Sequence, residues 1–373
     1  MKVLLLRPQI EAGGASRVII QLVSGLKASG VEVEVATAGG EWLPKLEEIV
    51  TCHKISLYPS TPQNLLRSIL ELHKLVSIEK YQLLNPHHRF ASIACNLLPV
   101  RKLIPIVSTV HETKTDRTIF SSLTFAPKAI VFSQAVKENL IRYHHFIDHD
   151  IFLVPMGVDV LPPDHKELAV VKKEFLLSED APTVSCITRL SQEKGCETFL
   201  RAVALVLSRG IRVKFLLVGD GPQKNELSVL AERLNLKGFL EFTGWRNDVP
   251  AIIENSNFLV LPSISEGVGI AIIEGMALKK PTIGTLTGGI PEVIKDLETG
   301  LLVPPGDPEA LANAIISLIE DQAFCRQLGL AGQKHYEERF SLKNMIERTL
   351  ETYTTLSIQG SENKSRSFIG RGK

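Results

Sequence analysis

The sequence predicts an α/β protein of two doubly wound, Rossmann-like parallel-sheet domains. Short runs rich in Val, Ile and Leu recur along the chain, each followed by a turn and an amphipathic helix. The runs are apolar on both faces, as in parallel strands covered by helices on each side. The theme occurs twice, on either side of a stretch at 157–181 that breaks it. Within that stretch Leu161-Pro162-Pro163-Asp164 propagates neither helix nor strand.

The first strand is read at 3–6, followed by a turn at Gly13-Gly14 and a helix from about 16 to 29. The opening MKVLLLRPQIEAGG has too short an apolar run, and no small-residue cleavage site, for a secretory signal; it reads as that strand. Further strands are expected at 31–37, 81–84, 104–110, 129–132 and 151–154. After the break and a charged helix come 183–187, 213–218, 240–242 and 258–261, with shorter strands at 281–283 and 301–303. The domains are therefore expected at 1–160 and 161–340, joined near 158–180. A helix at about 341–357 follows, then a polar, Gly/Ser-rich, basic segment, 358–373, which reads as a disordered tail.

At 373 residues the chain buries large cores without a disulfide or metal staple. Forty-two basic against 41 acidic residues, a net charge of +1, argue against a general nucleic-acid binder. No run approaches the roughly 18 apolar residues of a membrane span. Five scattered cysteines without C-x-x-C spacing (Cys52, Cys95, Cys186, Cys196, Cys325) fit reduced cytoplasmic thiols and suggest no metal site.

Ligands of doubly wound sheets sit outside the carboxyl ends of the strands, so the strand-to-helix turns are the places to search. The densest constellation is Glu266-Gly-Val-Gly-Ile-Ala-Ile-Ile-Glu274. Gly267 and Gly269 let backbone N–H groups approach a ligand, and a helix beginning near Gly269 turns its positive end to the same spot, which suits a phosphate. Glu274, one turn inside, has the reach to accept hydrogen bonds from vicinal hydroxyls such as those of a ribose. Taken singly, each acid reads better as a helix cap or a surface charge than as a ligand contact; the glycines and the spacing favour the ligand.

A second constellation, Thr188-Arg189-Leu-Ser-Gln-Glu-Lys194-Gly195, brings two cations to one loop, a match for a diphosphate. The turn Val218-Gly219-Asp220-Gly221-Pro222 begins as G-x-G, but Lys224 occupies the third glycine position. It reads either as ligand contact or as an ordinary tight turn. Gly13-Gly14-Ala15-Ser16-Arg17 fails the same fingerprint. His111-Glu112 follows the 104–110 strand, where a histidine can hydrogen-bond a substrate. His87-His88 and His144-His145 lack a carboxylate at useful spacing. There is no P-loop, G-x-S-x-G elbow or H-E-x-x-H.

With GGASR, VSTVHE, VPMGVD, ITRLSQEKG, LLVGDGPQKNEL, FTGWRNDV, SEGVGIAIIEGMA, TGGIPEVI and ETGLLVPPGDPEAL in order over about 13–311, the chain resembles the family-4 retaining glycosyltransferases of GT-B fold. The resemblance implies two domains facing a cleft, acceptor-binding first and nucleotide-sugar-binding second, with the terminal helix crossing back to the first. It assigns Glu274 to the donor ribose, Glu266 to the transferred sugar, and Arg189 and Lys194 to the diphosphate. Gly267, Val268, Gly269 and Ile270 fall in the loop over the distal phosphate and sugar, Gly14 in the N-terminal loop facing the diphosphate, and His111 beside the sugar. Gly219 is counted among the donor-binding positions. Thr188 stands where the family usually has Gly, and Met156 where Asn is common.

The implied reaction moves a sugar from a UDP- or GDP-sugar to a hydroxyl of a glycan or lipid-linked acceptor, with retention, no cofactor and no required metal. His111, Glu266, Arg189 and Lys194 are the expected catalytic residues. A nucleotide-sugar epimerase or phosphorylase and a non-catalytic nucleotide-sugar-binding subunit stay open as alternatives. The expected setting is cytoplasmic, in cell-envelope polysaccharide synthesis. Peripheral membrane contact is a further option, through Leu97-Leu98-Pro-Val-Arg101-Lys102-Leu103-Ile104 with Lys114, Arg117 and Lys128; the competing reading of that segment is a loop entering a buried strand.

Overall fold

A computed structural model of the protein describes residues 1–111, 124–178 and 180–369, with the backbone alone at 101–102 and 360–369. The chain forms two units, Met1–Gly157 with Leu342–Lys373, and Val158–Ser341.

The first unit carries β1 (Lys2–Leu6), β2 (Glu32–Thr37), β3 (Cys52–Lys54), β4 (Leu83–Pro86), β5 (Val107–Val110), β6 (Lys128–Val131) and β7 (Ile151–Leu153). They pair in parallel in the orders β3-β2-β1-β4 and β5-β6-β7. A bridge from Leu84 to Ile106, with the Leu84 N–H donating to the Pro105 carbonyl at 3.0 Å, brings β4 and β5 edge to edge. Strand β4 runs two residues beyond the predicted 81–84, because its register pairs Leu5 with Asn85 and Leu6 with Pro86. Strand β3, a polar Cys-His-Lys edge, has no apolar run to announce it.

The terminal helix, Leu342–Ile369, packs within this unit. A Cβ added at Gly25 of the Gly14–Ala28 helix would lie 2.6 Å from the Ile346 side chain, so the two helices approach almost backbone to side chain there. The segment read as a disordered tail is helical as far as Ile369, and residues 370–373 lie outside the described residues. It contains no proline, and Gly360 is its one strong helix breaker before Ile369.

The second unit is a single parallel sheet of β8 (Thr183–Ile187), β9 (Lys214–Val218), β10 (Leu240–Gly244), β11 (Phe258–Leu261), β12 (Thr282–Thr285) and β13 (Gly300–Val303), in the order β10-β9-β8-β11-β12-β13. Strand order reverses between β8 and β11, which makes the carboxyl ends of these two strands the switch point of the sheet and the place for a ligand. Phe199, Phe215 and Phe258 are fully buried in the core behind it.

The stretch expected to join the domains, 158–180, is largely part of this second unit. Asp164 and Glu167 form a reciprocal capping box that starts the His165–Glu174 helix. Val171 and Phe175 pack with Leu216 and Ile252, while Arg246 donates to Glu174 at 2.7 and 2.8 Å and to Asp248 at 2.7 Å. The double proline is thus a lead-in to a docked helix.

Among the described residues no helix is long and apolar enough to cross a membrane. Of the basic groups considered for membrane contact, Lys128 pairs with Asp150 at 3.2 Å. Lys114 and Arg117 lie outside the described residues, as do the side chains of Arg101 and Lys102.

Candidate functional site

Two loops at the switch point of the second sheet interlock. The loop after β8 is held from one side by β9: the Thr188 N–H donates to the Val218 carbonyl at 2.9 Å, and the Leu190 N–H to the Asp220 carbonyl at 3.0 Å. Gly219, at φ +134°, presses so close that a Cβ there would stand 1.9 Å from the Thr188 carbonyl oxygen. Its part is to bring two strand ends together, a demand that only glycine meets. Asp220 pairs with Lys224 at 2.8 Å, as in an ordinary turn.

From the other side the Glu193 carbonyl accepts N–H groups of Ile264 and Ser265 at 2.8 and 3.1 Å. Gly195, at φ +66°, would drive a Cβ to 2.0 Å from the Pro262 carbonyl oxygen. The loop after β11 is fixed in turn by hydroxyls: Thr285 donates to the Ser263 carbonyl at 2.6 Å and Thr287 to that of Ile264 at 2.9 Å.

This scaffold brings Lys194 and Glu266 together across 72 residues of sequence. The ammonium donates to both carboxylate oxygens, at 2.9 and 3.0 Å, with the side chains only 20% and 13% exposed. Glu266 also accepts from the Ser263 hydroxyl at 3.1 Å and the Gly267 N–H at 3.2 Å. These contacts hold the carboxylate, and through it the ammonium, in place. Arg189, on the same loop, has an exposed side chain. Glu193 is held below the usual carboxylate range chiefly by the Ser191 hydroxyl, with Lys194 and then Arg189 contributing charge.

Gly269 ends the β11 loop at φ +85° and caps the Ile270–Ala277 helix. A Cβ there would meet Ile272 and Leu261 side chains at 2.8 and 2.9 Å. Gly267, Val268 and Gly269 are buried and Ile270 is half-buried. The first N–H groups of this helix carry its positive end. Glu274, one turn in, is 4% exposed, a burial that the sequence does not announce.

Gly288 was legible only as part of TGGIPEVI. At φ +53° a Cβ there would sit 1.8 Å from the Glu266 carbonyl oxygen. The signal for it is the Gly-Gly pair immediately after a strand. Ser263 and Glu193 gave no sequence signal, since one acts by its hydroxyl and the other by its main-chain carbonyl.

Gly14 and His111 belong to the first unit. Gly14 is exposed and opens the Gly14–Ala28 helix, behind Gly13 at φ +150°. His111 directly follows β5, and Glu112 lies outside the described residues. The His111 ring lies 5.1 Å from that of Phe132 and 5.5 Å from that of His87. Its Nε2 stands 3.3 Å from His87 Nδ1. The sequence offers His87 no carboxylate at useful spacing; adjacency of β4 and β5 gives it His111 as a neighbour.

Burial first, then Arg7 and His88, push the His111 pKa down to about 3, and burial with His111 and Arg7 holds His87 well below the ordinary histidine range. Below about pH 6.5 the unfolded chain gains protons that these folded rings refuse, so acid destabilises the fold at up to about 1.4 kcal/mol per pH unit for each ring. Replacing His111 by Gln is expected to spare the protein about 2 to 3 kcal/mol of the stability it loses between pH 7 and 4.5. Urea unfolding at the two pH values measures this, and equal losses in parent and variant would refute it.

Among the described residues no three His, Cys, Asp or Glu side chains gather as a metal site.

Family models match both halves of the chain: "Glycosyltransferase Family 4" over residues 12–160 and "Glycosyl transferases group 1" over 170–335. The N-acetyl-alpha-D-glucosaminyl L-malate synthase of Bacillus anthracis is 26% identical, over 90% of this chain and 92% of its own. The UDP-Gal:alpha-D-GlcNAc-diphosphoundecaprenol alpha-1,3-galactosyltransferase of Escherichia coli is 27% identical over 73% of each chain. Among solved structures, HepE of Anabaena, in complex with UDP and glucose, superposes with a TM-score of 0.84 at 22% identity, over 95% of this chain and all of that one. This last likeness shows a shared fold.

Proposed function

The chain belongs to the family-4 glycosyltransferases of GT-B fold, and we propose that it moves a sugar, with retention, from a UDP- or GDP-sugar to a hydroxyl of a glycan or lipid-linked acceptor. The observation that carries this reading is the Lys194–Glu266 pair at the switch point, beside a helix N-terminus that holds buried Glu274 one turn in. The named relatives support it: the Escherichia coli enzyme bears a UDP-sugar and a lipid diphosphate in its name, and HepE was solved with UDP.

As the bond to the anomeric carbon breaks, positive charge grows on that carbon and negative charge on the diphosphate. Lys194, Arg189 and the first N–H groups of the 270–277 helix stabilise the departing charge. The backbone of Gly267 to Ile270 leaves room for the phosphates. Glu274 accepts from the ribose hydroxyls. Glu266 holds Lys194 until the donor arrives, then accepts from hydroxyls of the sugar. His111, neutral, hydrogen-bonds the sugar, and the leaving phosphate takes the acceptor's proton as attack proceeds from the same face. The cations do the work that a divalent metal does in other transferases, so turnover is expected to persist in EDTA.

Glu274→Ala and Arg189→Ala are each expected to lower kcat/KM by about 10- to 100-fold, the loss of one charge-assisted contact. Near-normal transfer by both would overturn the site assignment. A thermal-shift screen of nucleotides and nucleotide sugars identifies the donor, since stabilisation grows with ligand concentration over affinity. Product analysis with and without acceptor separates transfer from epimerisation.

A further inference from the structure

A chain of buried hydrogen bonds runs through the first unit from the terminal helix to His111, and donor and acceptor rules place the protons on its amide and imidazole nitrogens. Asn85, at the end of β4, is fully buried. Its amide lies 2.6 Å from the Val107 carbonyl oxygen, which only accepts, so the atom facing Val107 is the NH2 group. The Thr109 hydroxyl, 2.9 Å from the same nitrogen, serves as a second acceptor. The Asn85 Oδ1 therefore points the other way, where the Tyr353 hydroxyl donates to it at 2.6 Å and His87 Nε2 lies 2.8 Å from it. A carboxamide oxygen only accepts, so His87 Nε2 carries its hydrogen.

His87 is 3% exposed, and its ring is neutral because burial beside His111 and Arg7 opposes a charge. With Nε2 protonated, its Nδ1 is a bare lone pair. His111 Nε2 stands 3.3 Å away and must donate to it, since two bare nitrogens would repel.

We propose that His87, backed by Asn85 and Tyr353, is a positioning residue that fixes His111 as its Nε2–H tautomer and leaves Nδ1 as an acceptor at the carboxyl end of β5. In this form His111 takes a hydrogen bond from a hydroxyl of the bound sugar and gives it no proton. The catalytic consequence rests on the reading of His111 as a substrate-contacting group; the tautomer does not. The arrangement also gives the terminal helix a task beyond packing, because Tyr353 makes the shortest of the hydrogen bonds to the Asn85 oxygen, ahead of His87 at 2.8 Å and the Thr109 hydroxyl at 3.3 Å.

The test is nitrogen-15 NMR of the histidine rings in the full-length protein, with the His111 signals assigned by their loss in His111→Gln. In the parent, His111 Nε2 is expected to show the shift of a protonated nitrogen and Nδ1 that of a bare one, unchanged from pH 8 to pH 5. A protonated Nδ1, or a charged ring in that range, overturns the proposal. His87→Phe, which removes the acceptor, is expected to turn His111 into a mixture of tautomers. His87→Gln, whose amide both accepts and donates, should restore one form. An unchanged His111 in His87→Phe also overturns the proposal. In assays, His87→Phe should lower kcat about tenfold with little change in donor KM, and His87→Gln should recover most of it. If the tautomer responds as expected and kcat does not, the positioning stands and the substrate role of His111 falls.

Discussion

Replacing Lys194 by alanine is expected to lower kcat/KM for sugar transfer by about 10²- to 10³-fold while the protein stays folded. The magnitude follows from charge. A donor diphosphate gains negative charge as its sugar leaves, and a cation about 4 Å away interacts with each unit charge by roughly 4 kcal/mol at the effective dielectric of a partly exposed site. Removing one such preorganised group typically costs about 3 to 4 kcal/mol of transition-state stabilisation. Lys194 is preorganised in this way, since Glu266 grips it through both oxygens and both side chains are largely buried. Glu266 keeps the Ser263 hydroxyl and the Gly267 N–H in the variant, so its charge is still solvated and unfolding is not expected. Lys194→Arg should recover little, because a planar fork does not fit a site shaped around a compact ammonium. Steady-state kinetics measures all three proteins, and an alanine variant within threefold of the parent would remove Lys194 from the mechanism.

The parallel strands were legible because burial on both faces writes an apolar run into each of them. The exceptions have physical causes. Strand β3 is a three-residue polar edge, and the two prolines before the cap of the His165–Glu174 helix made a docked helix read as part of a linker. The reach of the terminal helix to Ile369 was masked by residues that are polar whether they lie in a helix or in a loop. In the site, residue type and location at strand ends were readable, while partnership was not. Lys194 and Glu266 are 72 apart in sequence and meet because β8 and β11 are neighbours in the sheet. His87 and His111 meet for the corresponding reason at β4 and β5. Motif reading finds a charge, and the sheet order decides which charge it faces.

Gly288→Ala is expected to cost about 10²-fold in kcat/KM although residue 288 contributes no side chain to the site. Its φ of +53° penalises any L side chain, by about 1 kcal/mol for alanine. The larger effect is steric. The new Cβ would lie 1.8 Å from the Glu266 carbonyl oxygen, and no rotamer change relieves a clash between backbone atoms. One loop must retreat by about 1 Å, and displacement of that size in a catalytic group costs about 10²-fold. The loop that retreats carries Glu266, and through it the hold on Lys194. Gly306→Ala separates the two causes. Gly306 has φ +75°, with nothing within 4 Å of an added Cβ, so alanine there meets the backbone penalty alone. It should lower Tm by a few degrees and leave kcat/KM unchanged, while Gly288→Ala lowers both. Equal activity in the two variants would show that the approach of Gly288 to Glu266 does not position the site.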